Sequence, residues 1–148
     1  MPELNKTTTK TVHNLQLLLN QLIQSYYFYK DLHWNFEGED FFEYHNFFDT
    51  HASSSIDPQD TIAERIRQLD FEVKLDTNIK TEFGFGINQK NLQHILEFLL
   101  KMHQNIIDSM IVTIADANNE NDFTTADIIT GYLESQQKMH WFIRSSSR

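Results

Sequence analysis

Two histidines and three acids in the first half of this 148-residue chain have types and spacings that could hold a metal ion. His33 falls on an apolar helical stripe with Leu19, Leu22 and Tyr26, and His45 is in phase with Phe41, Phe48 and Ala52. A hairpin centred near Glu39 places 33 and 45 opposite each other, so their imidazoles are expected to meet at one level. Asp49 follows His45 by four residues and shares its helix face, and Asp60 and Glu64 form a second pair at that spacing. Asp49 and Asp60 are separated by about 16 Å along a helix axis, so one centre within a single chain does not span both. The four positions 45, 49, 60 and 64 are, however, symmetric about a point between Ser54 and Ser55. Two copies of this helix packed antiparallel across a two-fold axis there would bring His45 and Asp49 of one to Asp60 and Glu64 of the other. Small Ser53, Ser54 and Ser55 permit that close approach, and an isologous dimer holds two equivalent sites. Imidazoles with carboxylates suit iron, zinc or manganese better than copper(I) or calcium, and open coordination positions admit an oxidant. Each residue alone also has a plainer reading, as a hydrogen-bonded core histidine or a solvated carboxylate. The convergence of five is what favours the metal.

Four helical periods position these residues. The first runs from about Thr9 to Phe36, with Val12, Leu15, Leu19, Leu22, Tyr26 and Tyr29 in phase, and Gly38 marks its end. The second starts near Asp40 and carries Phe41, Phe48, Ala52, Ile56, Ile62 or Ala63, Ile66 and Leu69. The third begins near Asn88 and has the cleanest stripe, Leu92, Ile95, Leu99, His103, Ile106, Met110 and Ile114. The fourth opens at Thr124-Thr125-Ala126-Asp127, a capping-box-like start, and continues through Ile129, Leu133, Met139, His140 and Ile143. Residues 72–89 have no strong period, and Phe83-Gly84-Phe85-Gly86 reads as a loop within a long crossover. The pattern predicts an all-α four-helix bundle with one long crossover between helices 2 and 3, the ferritin-like arrangement. No internal repeat or second domain is seen, so residues 1–148 read as one domain with a short tail at 1–8. Asp57 and Pro58 look like a helix start, yet the apolar phase holds from Phe48 through Ile66, which favours one kinked helix.

Composition excludes several classes. Only 4 Gly and 2 Pro leave little material for a many-stranded β protein, and the lack of Cys excludes a disulfide scaffold, a zinc ribbon and a thiol nucleophile. Met1–Lys10 is polar, with no apolar core of a signal peptide, and no run approaches the roughly 20 apolar residues of a membrane span. A cytoplasmic protein without a membrane partner is expected. A net charge of −9 opposes nucleic-acid binding through a basic surface and suits attraction of cations. There is no HExxH and no Glu-x-x-His pair, which opposes a zinc protease and the standard di-iron carboxylate bundle.

The segment His33-Trp34-Asn35-Phe36-Glu37-Gly38, then Phe41-Phe42-Glu43-Tyr44-His45, Asp49, Asp60 and Ala63-Glu64-Arg65-Ile66, resembles the Dps family of mini-ferritins. The ending is similar too, with Asp122, Thr125, Asp127 and Gln137-Lys138-Met139-His140-Trp141-Phe142. The resemblance implies a homo-oligomer, dimers assembling into a twelve-subunit hollow cage. It implies a ferroxidase iron centre at each dimer interface, formed by His33, His45 and Asp49 of one subunit with Asp60 and Glu64 of its neighbour. The implied activity is oxidation of iron(II), preferably by hydrogen peroxide, with storage of iron(III) mineral and protection from oxidative damage; zinc is a possible substitute metal. Acidic pores are implied near the start of the fourth helix, where Asp122 and Asp127 match and Asp116 and Glu120 are weaker candidates. The chain departs from the family at Pro58, at Ser53–Ser55, and in an N-terminal arm that has Lys6 and Lys10 but no Lys-rich tail for DNA. A structural DNA-binding nucleoid protein of the same fold and a helical oligomer with a redox-silent zinc site are the alternatives. Trp34 and Trp141 read as aromatic packing in core or interface, with electron donation to the site as the other reading. His103 and His140 read as core residues, and His13, His51 and His94 show no partner spacing.

Overall fold

The computed structural model describes residues 9–76 and 91–147, and helices are the only regular elements among them. They are α1 (Lys10–Asn35), α2 (Phe41–Ser54), α3 (Ile56–Gln68), α4 (Leu92–Asn119) and α5 (Phe123–Ser146). α2 and α3 together form the second rod of a four-helix bundle. The expected crossover between the second and third rods lies between α3 and α4, and its central part, with Phe83–Gly86, falls outside the described residues.

Each helix begins with a local reason. Thr9 caps α1, its hydroxyl accepting the amide of Val12 at 3.1 Å, and the Glu120 carboxylate accepts the amides of Lys10 and Thr11. Asn91 caps α4 through the amide of His94, so the third rod starts later than the expected Asn88. Asp122, not Thr124, caps α5, accepting the Thr125 amide at 3.1 Å and its hydroxyl at 2.5 Å. The α1–α2 hairpin turns through Gly38 at φ +140° and Asp40 at φ 57°. A side chain at position 38 would be strained there.

The second rod is two helices rather than the single kinked one expected. It is interrupted at Ser55, three residues before Pro58, and Asp57 lies inside α3 instead of capping it. Proline has no amide to bond the carbonyl four residues earlier, so the ladder fails in the turn before it. Ser54 and Ser55 donate their hydroxyls to the carbonyls of His51 and Ala52, both at 2.8 Å. Ser55 keeps α-region backbone angles, φ −85° and ψ −11°, and so links the two pieces with one residue.

The core has two halves. Val12, Leu15, Leu19 and Leu22 pack with Ile62, Ile66, Ile106, Met110 and Ile129. Phe28, Tyr29, Leu32 and Phe36 pack with Phe48, Ala52, Ile95, Leu99 and Ile143. Phe41 and Ile56, in phase with the second stripe, are nevertheless exposed. No helix among the described residues is long and apolar enough to cross a membrane.

Candidate metal centre

The hairpin brings His33 and His45 together as the spacing predicts. Their rings stack with centroids 3.8 Å apart and planes 20° from parallel, and Phe41 stacks on the outer side of His45. Each Nδ1 meets the other residue's backbone carbonyl, His33 Nδ1 to His45 O at 2.6 Å and His45 Nδ1 to His33 O at 2.7 Å. A carbonyl oxygen only accepts, so both Nδ1 atoms carry hydrogen and donate. Both Nε2 lone pairs are thereby left free, and the rings are fixed in the tautomer a metal needs.

Asp49 stands near His33, its Oδ1 4.0 Å from His33 Nε2. Nitrogen and oxygen donors bind transition metals at roughly 2.0–2.2 Å, so a cation between these two atoms reaches both. In the free chain Asp49 has a different partner. The Lys30 ammonium lies 2.6 Å from Oδ1, and its hydrogen bond holds the Asp49 carboxyl below the usual range. Sequence reasoning missed Lys30, although its place three residues before His33 on a continuous helix sets it on the adjoining face.

Asp60 and Glu64 lie exposed on α3. Among the described residues no three His, Cys, Asp or Glu side chains converge on a single ion position. One chain thus pairs His33 with His45 and sets Asp49 near His33, without gathering three donors at one point, and Asp60 and Glu64 stand exposed on α3. Ser55, at the expected two-fold point, is buried with its hydroxyl turned to Ala52 and Gln59, whereas Ser53 and Ser54 are exposed.

The acids near the start of α5 are mostly engaged within the chain. Asp122 caps α5 and pairs with Arg65 at 2.8 Å, while Arg65 Nε donates to Thr125. Burial opposes ionisation of Asp122, but the hydrogen bonds from Thr125 and Arg65 outweigh it and lower its pKa. Asp116 accepts from Asn14 at 2.8 Å, and Glu120 serves the start of α1. Asp127 is exposed in the first turns of α5. Trp34 and Trp141 are 66% and 51% exposed, so neither packs in the core of the chain. His103 is buried as expected, whereas His140 is only half-buried.

A sequence profile described as a ferritin-like domain matches residues 12–146, nearly the whole chain. The chain belongs to the ferritin-like family. This ferritin-like chain is 29% identical over 140 residues to an uncharacterized protein of Haemophilus influenzae, covering 86% of this chain and 84% of that one. It is 28% identical to the DNA protection during starvation protein of Agrobacterium fabrum, covering 78% and 74%. The fold is similar to that of Dps from Staphylococcus aureus, with a TM-score of 0.81, 21% identity and coverage of 96% and 99%. It is similar also to Dps from Thermosynechococcus elongatus, with a TM-score of 0.81, 23% identity and coverage of 94% and 90%. The Dps resemblance read from the motifs is supported along almost the whole ferritin-like chain.

Proposed function

We propose that this protein is a Dps-type iron-storage and detoxification subunit that oxidises iron(II) with hydrogen peroxide at sites shared between two copies. The observation that carries the reading is the reciprocal lock of His33 and His45, which leaves both Nε2 atoms free, that of His33 4.0 Å from the Asp49 carboxylate. Asp60 and Glu64 of a two-fold mate complete the donor set. Iron(II) is the substrate, and zinc is a redox-silent substitute for it. Two iron(II) ions give two electrons to one peroxide, which takes up two protons and leaves as two waters. The iron(III) then passes to the interior of a twelve-subunit cage. Exposed Phe42, Trp34, Phe123 and Trp141 supply apolar surface for contacts between copies. Asp127 is the free candidate for an acidic iron pathway, with Asp122 held by Arg65. The net charge of −9 favours iron entry over contact with DNA phosphates, and a cytoplasmic location fits the chemistry.

The test adds iron(II) anaerobically, then supplies peroxide or air while iron(III) formation is recorded. Fast oxidation by peroxide, slower oxidation by air and a soluble product support the reading. Oxidation no faster than in a protein-free control overturns it. Sedimentation separates a twelve-subunit particle from a smaller oligomer, and a retardation assay at low salt revives the nucleoid-protein alternative if DNA is shifted.

A further inference from the structure

Phe41, His45 and His33 form a stack of three rings. The His45 imidazole lies in the middle, with the His33 ring on its inner side at 3.8 Å between centroids. The Phe41 ring covers its outer side at 5.1 Å, with planes 28° from parallel. Local structure explains how Phe41 arrives there. It is the first residue of α2, directly after the left-handed Asp40, and it precedes His45 by four residues, so the two share a helix face. Burial does not explain its choice. Phe41 is 41% exposed, whereas Phe48, two turns further along the same stripe, is fully buried.

The use of a phenyl ring at this position lies in what a metal does to an imidazole. A cation on Nε2 draws electron density from the ring and leaves it partly positive. The face of a phenyl ring carries the negative lobe of its quadrupole and attracts such a charge. Offset stacks with centroids roughly 4.5–7 Å apart are the favourable arrangement for aromatic pairs, and Phe41 and His45 fall within it. The inner face of His45 gains no such help. It meets the imidazole of His33, which becomes positive in turn when it binds a cation.

We propose that Phe41 positions and tunes His45 as a metal donor, strengthening cation binding through its π face. The proposal rests on the metal-binding reading of the two histidines above. Phe41 touches neither cation nor peroxide and acts only through the imidazole. The hydrogen bond from His45 Nδ1 to His33 O, at 2.7 Å, fixes the ring from its edge. The neighbouring rings fix its tilt from both faces. Packing alone requires only the shape of Phe41, whereas tuning requires the electron density on its face as well.

The experiment separates shape from electron density. Phenylalanines carrying one, three or five ring fluorines are placed at position 41 alone by stop-codon suppression. Fluorine empties the ring face with little change in size, so the series keeps fold and assembly, as sedimentation and circular dichroism verify. Cobalt(II) is then titrated into the assembled protein and read by visible absorption. Affinity should fall stepwise with fluorine content, by about two- to fivefold across the series. Phe41→Leu keeps apolar bulk without a π face and should bind about as weakly as the most fluorinated protein, while Phe41→Tyr should restore parent binding. If Phe41→Leu does not assemble, the fluorine series decides alone. The same series at Phe42, one residue along and 77% exposed, should leave affinity unchanged. Cobalt binding that ignores fluorine at position 41, or an equal slope at position 42, overturns the role of Phe41 and leaves the metal centre standing. A parent protein that binds no cobalt overturns both.

Discussion

Lys30 and Asp49 form an ion pair of 2.6 Å on the carboxylate that stands 4.0 Å from the free Nε2 of His33. The ammonium and an incoming divalent cation compete for one oxygen. Lys30→Met removes the competitor while keeping much of the apolar stem. Cobalt(II) titration, read by visible absorption, should show about two- to fivefold tighter binding, the scale of a partly exposed pair. Unchanged affinity would mean that the ammonium moves away at no cost.

The shared-site reading is tested by complementation. His45→Ala and Glu64→Ala should each lose fast iron oxidation while sedimenting like the parent protein. Refolding the two together makes mixed dimers in which one site has all five side chains. Part of the activity should return. Verified heteromers with no recovery would count against Asp60 and Glu64 serving a neighbour's histidines.

Arg65, Asp122 and Thr125 tie α3 to the start of α5, with side chains of Arg65 and Asp122 only 14% and 15% exposed. Asp122→Ala removes the cap and the ion pair together. A loss of about 1–3 kcal/mol in urea unfolding is expected. Because the folded pKa of Asp122 is lowered, its contribution is complete above the ordinary carboxyl range and disappears as pH falls through the folded value. The variant should therefore show a weaker fall of stability in acid.

Burial holds His103 and His51 near pKa 4, below the ordinary 6.5 of imidazole. The hydrogen bond to Gln136 opposes the effect at His103 without overcoming it. Unfolded chains bind protons as pH drops below about 6.5, but the folded chain does not until about 4. Stability is thus fully present above that window and decreases through it, by up to about 1.4 kcal/mol per pH unit for each imidazole. Urea midpoints measured at descending pH should reveal this slope, and His103→Gln should flatten it.

Gly38→Ala tests how the hairpin sets the imidazoles. A Cβ at position 38 meets nothing closer than Phe36 at 4.0 Å, so space is no obstacle, but φ +140° is hostile to any side chain. A destabilisation of about 1–3 kcal/mol is expected. Nitrogen-15 spectra of the His33 and His45 rings should report loss of the fixed tautomers.

The helices and the meeting of His33 with His45 were legible because each rests on local regularity. Apolar periods along 9–36, 92–114 and 129–143 show which faces turn inward, and equal steps on either side of Glu39 set the level of the two rings. The interruption at Ser55 was harder to place. Apolar phase survives a one-residue break that keeps α-region angles, so periodicity could not separate a kink from two helices. The cap at Asp122 was misplaced by two residues for a similar reason, since Thr124 and Thr125 are themselves good capping types.

The sequence by itself determined an all-helical bundle, its order of rods, and a set of nitrogen and oxygen donors suited to iron. Only the tertiary structure decided what those donors and the buried polar groups touch. Tyr29 meets His103 across 74 residues of chain, and Lys30 meets Asp49 across 19. Such pairs carry no local signature, because they arise from how helices rotate against one another. Periodicity locates the inward face of each helix. It leaves open which side chain on that face meets which partner, and packing of the assembled rods makes that choice.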